Sequence, residues 1–192
     1  MLEPAYPLRT GRLDLRPFQE GDADFLAELQ GDPDITRFLY YEPLTREEST
    51  QALAKRMRNR VLRGDGDLLS LVAVLRETGE RVGEATLFYR SVEHAGGEVG
   101  YIVHPAHQRR GYATEMSVEM LRVAFDDLHL HRVVGRLDGR NTASATVLER
   151  VGMRREAHLI SNEFVKGEWC DELDYAVLAR EWSASRARRS NA

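Results

Sequence analysis

The octet His107-Gln108-Arg109-Arg110-Gly111-Tyr112-Ala113-Thr114 carries the residue types that could hold a diphosphate. It follows an apolar run that stops at Pro105 and precedes a long amphipathic run, so it reads as a strand-to-helix loop. A helix N-terminus presents unpaired N–H groups and a partial positive charge. The small residues Gly111 and Ala113 clear the way for phosphate oxygens to reach those N–H groups, and Arg109 and Arg110 add cationic side chains beside them. The main-chain donors could matter more than the two charges. The octet is not a Walker loop, because no Gly-Lys-Ser/Thr follows, and it lacks the three-glycine dinucleotide pattern. Taken alone it fits equally well an ordinary turn with Gly as punctuation and exposed arginines.

Other reactive side chains offer less. The pairs His104/His107 and His129/His131 invite a metal reading, but the first brackets a proline turn and no third ligand has suitable spacing, so no metal is expected. Cys170 is the only cysteine; nothing beside it in sequence would activate a thiolate, and it reads as a bystander near a strand edge. Trp169, in an expected late turn, reads as a packing residue.

The elements that must position the octet follow from periodicity. Arg12 to Phe18 alternates as a half-buried first strand. Asp22 is expected to cap a helix through Phe25, Leu26 and Leu29, ended by Gly31-Asp32-Pro33. Thr45 and Glu48 have capping-box spacing and open a helix striped by Leu53, Met57 and Val61. Leu68 to Leu75 and Val82 to Tyr89 flank Glu77-Thr78-Gly79-Glu80 as an antiparallel hairpin. Glu98 to His104 is the next strand, Thr114 to Leu128 a long helix, and His131 to Leu137 a strand that must lie parallel or nearly so to Glu98–His104. Asn141 opens a shorter helix closed by Gly152, and Met153 to Leu159 with Asp171 to Leu178 complete the sheet. The class is α+β with a mixed, mostly antiparallel sheet.

A chain of 192 residues with 42% hydrophobic and 30% charged side chains has the composition of one globular domain, expected over residues 1–184 with a basic, flexible tail at 185–192. No run approaches the length of a membrane span, the opening MLEPAYPLRT is not a signal segment, and one cysteine fits a reducing compartment, so a cytoplasmic protein with no membrane partner is expected. Net charge is −4, from 27 basic and 31 acidic residues, which gives no general pull toward nucleic acid.

Gln108-Arg109-Arg110-Gly111-Tyr112-Ala113 resembles the Q/R-x-x-G-x-G/A signature of the GNAT N-acetyltransferase superfamily. Gly100-Tyr101-Ile102-Val103-His104-Pro105, Asn141-Thr142-Ala143-Ser144 and Glu149-Arg150-Val151-Gly152-Met153 are similar to the branch that contains the RimJ/RimL-type ribosomal-protein N-terminal acetyltransferases. The resemblance implies a GNAT fold of about seven strands flanked by helices, with a splayed parallel strand pair forming an acyl-CoA cleft. It also implies direct transfer of an acetyl group from acetyl-CoA to a primary amine, on a protein N-terminus or a small molecule, by a monomer or homodimer. Backbone groups of Ile102 and Val103 would pair with the pantetheine arm, and Gln108, Arg109, Arg110, Gly111, Tyr112, Ala113 and Thr114 would cradle the pyrophosphate.

The remaining roles come from the same resemblance. Glu98 matches the position where some members carry the proton-accepting carboxylate, or else is an exposed carboxylate at a strand end. Leu148 stands where many members have a tyrosine; Ser144 is instead the hydroxyl near the sulfur, and Asn141 bonds the pantetheine arm. Asn141 would also cap its helix, with Ser144 in the first turn. Phe38, Tyr40 and Tyr41, followed by Glu42-Pro43, fall where the superfamily builds its acceptor wall; they could hold a cationic amine or simply pack their loop. A longer acyl donor such as succinyl-CoA and a non-catalytic acyl-CoA-binding module are the alternatives.

Overall fold

A computed structural model describes residues 1–190 of the chain. Its strands are β1 (Leu8–Arg9), β2 (Leu13–Pro17), β3 (Leu68–Leu75), β4 (Arg81–Ser91), β5 (Gly96–Val103), β6 (Arg132–Asp138), β7 (Arg154–Val165) and β8 (Glu168–Leu178). Among the described residues these form one eight-stranded sheet in the order β1-β2-β3-β4-β5-β6-β8-β7. Every neighbouring pair is antiparallel except β5 and β6. That parallel pair is matched only at Gly96↔Arg132, Gly97↔Val133 and Glu98↔Val134. Beyond Glu98 and Val134 the two strands part, and this is the expected splay. The eighth strand is β1, too short for its alternation to show in sequence.

Helices α1 (Ala23–Gly31), α2 (Pro33–Thr36) and α3 (Arg46–Arg58) precede β3. Helix α4 (Tyr112–Arg122) joins β5 to β6 and continues as a π-helical turn, Val123–Asp127, in which Leu128 N donates to Val123 O. Helix α5 (Thr142–Arg150) follows β6, and α6 (Ala179–Ser190) follows β8. No helix of the described residues is long and apolar enough to cross a membrane. The segment from Ser185 to Ser190 lies within α6, and residues 191 and 192 lie outside the described residues.

The sheet has a different helix layer on each face. Met116, Met120 and Leu121 of α4 join Leu13, Leu15, Leu69, Leu71 and Leu87 of the sheet in the main core. Leu26 of α1 and Leu53 of α3 pack with Phe18 and Val72 in a second cluster. Full burial of each such side chain is worth roughly 1.5–3 kcal/mol. Strand β3 therefore loses its alternation: Leu69 to Ala73 are all buried, because both faces are covered.

Four boundaries differ from expectation. Asp22 does not cap α1 through its side chain; the buried carboxylate instead accepts from Arg16 Nη1 at 2.8 Å, Arg81 Nε at 2.5 Å and the Gln19 amide at 2.8 Å. Val61 is buried outside α3, which ends at Arg58, beside the Leu2↔Leu62 bridge. Helix α4 starts at Tyr112, because the left-handed Gly111 supplies its N-cap. Trp169 is not in a turn: β7 and β8 form one long hairpin around Lys166-Gly167, and Trp169, on β8, is 63% exposed with its ring 5.3 Å from Phe164.

Candidate active site

The loop after β5 is shaped by its backbone. Pro105–His107 makes one 3-10 turn, and Arg109 (φ 60°) and Gly111 (φ 82°) are both left-handed. Such residues turn successive N–H groups to one side, the concavity that receives anions. Gly111 tolerates its conformation because it has no Cβ, whereas Arg109 holds one that costs an L residue about 1 kcal/mol or more. No side chain caps α4, so the N–H groups of its first turn remain available. That geometry fits a diphosphate. Arg109 and Arg110 are exposed beside the loop, and Tyr112 is 8% exposed, its ring packed into the core with its centroid 6.5 Å from that of His107. The Ala113 carbonyl accepts from Ser117 Oγ, Thr114 lies in the first turn of α4, and Gln108 Nε2 donates to the Val103 carbonyl at 3.1 Å.

Arg12 clamps this loop from the β1–β2 turn, a contact that spacing did not indicate. Its Nη1 donates to the Arg110 carbonyl at 2.9 Å, and its guanidinium lies 4.5 Å over the Tyr112 ring. Its Nε and main-chain N donate to Glu115 of α4 at 2.8 and 2.7 Å, and Thr10 Oγ1 donates to the same carboxylate. Burial alone would raise Glu115, but the hydrogen bonds from Thr10 and Arg12 outweigh it and hold the carboxyl below its usual range.

Where β5 and β6 part, a cavity of about 270 Å³ opens. Its wall brings together Phe38, Tyr40 and Tyr41 from the loop after α2, Ile102 from β5, and Asn141 and Ser144 at the start of α5. Asn141 Oδ1 accepts from Ser144 N at 3.0 Å, the expected cap. Tyr101 Oη donates to the Ser144 carbonyl at 3.1 Å, and burial pushes the Tyr101 and Tyr41 hydroxyls up to about 12. The Ser144 side chain also hydrogen-bonds the Tyr101 hydroxyl, which partly offsets the effect of burial there. Leu148 also lines the wall, and its methyls sit where a Cβ on Gly135 would come within 2.8 Å, so that glycine is what lets α5 settle on β6.

Glu98 is not in that wall. Arg90 Nη2 lies 2.9 Å and Arg136 Nε 3.4 Å from its Oε2, and Arg136 stands between it and the cavity. Val103 and the loop from Gln108 to Thr114 also lie outside the wall. Two further carboxylates stand in the wall or beside it. Glu84 lines the cavity, buried, accepting from Arg56 Nε at 2.8 Å and Ser70 Oγ at 2.7 Å. Glu172, 2% exposed, has one carboxylate oxygen without a hydrogen-bond partner. Burial raises its pKa despite Arg136 nearby, and burial together with the Glu172 charge raises that of the Tyr40 hydroxyl. For Glu84 the available signal was a Glu inside the largely apolar run Val82 to Phe88, whereas Glu172, between Asp171 and Asp174, offered none.

Lys166 is a second long-range tie. From the β7–β8 turn its Nζ donates to the carbonyls of Thr36 at 2.5 Å and Arg37 at 3.3 Å, which fixes the chain entering the Phe38–Tyr41 wall. Cys170 lies buried on β8, where burial pushes its thiol up even though Arg140 Nη2 donates to its sulfur at 3.0 Å. His104 Nε2 is 2.9 Å from Glu28 Oε1, and burial lowers His107. Among the described residues no group of three or more His, Cys, Asp or Glu side chains is placed to hold a metal ion.

Comparison with known proteins agrees with this geometry. A solved acetyltransferase (GNAT family) from Bacillus anthracis superposes with a TM-score of 0.81 at 27% identity, over 90% of this chain and 98% of that one. A putative ribosomal N-acetyltransferase, YdaF, of Bacillus subtilis is 25% identical over 91% of this chain and 95% of its own length. The spermidine N(1)-acetyltransferase of Vibrio cholerae is 24% identical over 89% and 95%. The family described as "Acetyltransferase (GNAT) domain" matches residues 12–154. With its splayed β5–β6 pair, uncapped α4 and matching sequence, this chain belongs to the GNAT acetyltransferase family and is an N-acetyltransferase.

Proposed function

We propose that the chain transfers the acetyl group of acetyl-CoA directly to a primary amine, on a protein N-terminus or a small molecule, as in the RimJ/RimL-like branch. The observation that carries this reading is the junction at the splay. One cavity is walled by Phe38, Tyr40 and Tyr41 on one side and by Asn141 and Ser144 on the other, so amine and thioester can meet there. Similarity to the putative ribosomal acetyltransferase supports the branch, and similarity to the spermidine enzyme supports an amine acceptor.

Residue roles follow from position. Main-chain N–H groups from Gln108 to Thr114 bind the diphosphate, with Arg109 and Arg110 beside them, and backbone groups of Ile102 and Val103 with the Asn141 side chain orient the pantetheine arm. The amine nitrogen bonds to the acetyl carbon as the carbon–sulfur bond breaks. Ser144 Oγ gives its proton to the departing sulfur and recovers one from solvent. An amine must lose a proton to react, because alkylamines have a pKa of about 10. Glu172 accepts that proton through Tyr40; its raised pKa, set by burial, makes it the better acceptor. Glu98, between Arg90 and Arg136, orients Arg136 rather than taking the proton. Bringing the two substrates together accounts for much of the acceleration.

Release of free thiol, followed with acetyl-CoA and succinyl-CoA against a panel of amines, tests the reading. Amine-dependent release with acetyl-CoA is expected; CoA binding without release for any donor or amine would falsify it. Ser144→Ala should lower kcat more than CoA affinity, and unchanged kcat removes Ser144 as the acid.

A further inference from the structure

The acceptor cavity offers an ammonium group no free carboxylate. Glu84 is the one carboxylate in its wall, and it already accepts from Arg56 Nε at 2.8 Å, Arg56 Nη2 at 3.3 Å and Ser70 Oγ at 2.7 Å. Behind the wall each of three acidic groups has an arginine beside it, although Glu172 keeps one oxygen without a hydrogen-bond partner. Glu98 lies 2.9 Å from Arg90 and 3.4 Å from Arg136, Glu172 lies 3.8 Å from Arg136, and Asp138 lies 2.6 Å from Arg140. Arg56 and Arg136 themselves line the cavity. The rest of the wall is largely ring and aliphatic surface, including Phe38, Tyr41, Leu137 and Leu148.

We infer that the acceptor is a primary monoamine with an uncharged apolar or aromatic body, and that the cavity discriminates against polyamines. The inference deepens the acetyltransferase reading and rests on it. A monoamine gives up its proton before attack and then brings no charge into the site. Each further amine of a polyamine stays protonated at neutral pH, since its pKa is about 10. That second ammonium would have to shed water facing two guanidinium groups, with the wall's one carboxylate among the described residues already paired, and an uncompensated buried charge is strongly unfavourable. An aromatic body instead packs against Phe38 and Tyr41 and releases water from apolar surface. By this criterion the chain parts from its relative named for spermidine.

The test is steady-state turnover with acetyl-CoA and three acceptors: 2-phenylethylamine, a short peptide with a free Phe N-terminus and no other charge, and spermidine. For at least one of the first two, kcat/KM should exceed that for spermidine by about tenfold or more, the ratio that 1.4 kcal/mol of discrimination gives. The first two arms separate a small amine from a chain terminus. Spermidine turnover equal to or above both overturns the inference. Absence of turnover with all three defeats the acetyltransferase reading instead; calorimetric titration of the same amines into CoA-saturated protein then decides selectivity, and spermidine binding as tightly as either monoamine overturns it. Arg136→Gln removes one guanidinium from the wall and leaves Glu172 without its arginine, and should shift the preference toward spermidine by about tenfold. An unchanged ratio counts against the inference, and Arg56→Gln, which frees Glu84, provides the same comparison if Arg136→Gln does not fold.

Discussion

The two halves of the site are built by opposite means. The loop from Gln108 to Thr114 is made of consecutive residues, its shape set by two left-handed conformations and an uncapped helix end. The acceptor wall from Phe38 to Tyr41 has no regular structure of its own and is held from a distance: Lys166 meets the Thr36 carbonyl across 130 residues, and Tyr40 is coupled to Glu172. A self-contained loop suits a constant ligand. A wall anchored by remote strands can change its acceptor without disturbing the donor site.

If this division is real, substitutions on one side should leave the other side's constants unchanged. The largest effect is expected from Glu172→Gln, which should lower kcat by about two to four powers of ten and leave CoA affinity unaltered. The raised carboxyl is a base only when ionised, so wild-type activity should rise as pH climbs through its pKa, and the variant should lose that acidic limb. An unshifted pH–rate profile removes Glu172, and Glu98→Gln measured alongside shows whether Glu98 takes the proton. Next is Gly111→Val. A branched side chain at φ 82° costs roughly 1–3 kcal/mol, so CoA binding by calorimetry should weaken about tenfold to hundredfold while the acceptor KM stays put.

Arg12→Ala should weaken CoA about threefold to tenfold, the smaller effect expected of a half-exposed ion pair, with kcat nearly constant. Arg12→Lys keeps the charge but not the two-sided contact with Glu115 and the Arg110 carbonyl, so it should recover only part of the loss. The smallest change is expected from Lys166→Met, which should raise the acceptor KM by about threefold and leave CoA binding intact. A matching rise in the KM for acetyl-CoA would mean that the hairpin supports both sites and that the division fails.

The regular elements were legible because their signals are local. The Thr45–Glu48 capping box and the antiparallel hairpin appear where spacing placed them. Misreadings arose where a distant partner outbid the local preference. Asp22 has the residue type of a helix cap, yet its carboxylate is taken by Arg16 and Arg81, the second 59 residues away. Strands at Met153–Leu159 and Asp171–Leu178 were legible, but their extension into one hairpin around Lys166-Gly167 was not, because β7 is an exposed edge strand whose face shows no apolar alternation.

By itself the sequence determined the open loop from Gln108 to Thr114, since Gly111 and Ala113 before an amphipathic helix specify an uncapped N-terminus through backbone conformation, which depends on near neighbours alone. It also determined that Asn141 and Ser144 share the start of one helix. Only the tertiary structure decided which carboxylate stands in the cavity wall and which lie outside it. Burial and pairing depend on elements brought together by folding, and Glu84, Glu98 and Glu172 have the same side chain in three different surroundings.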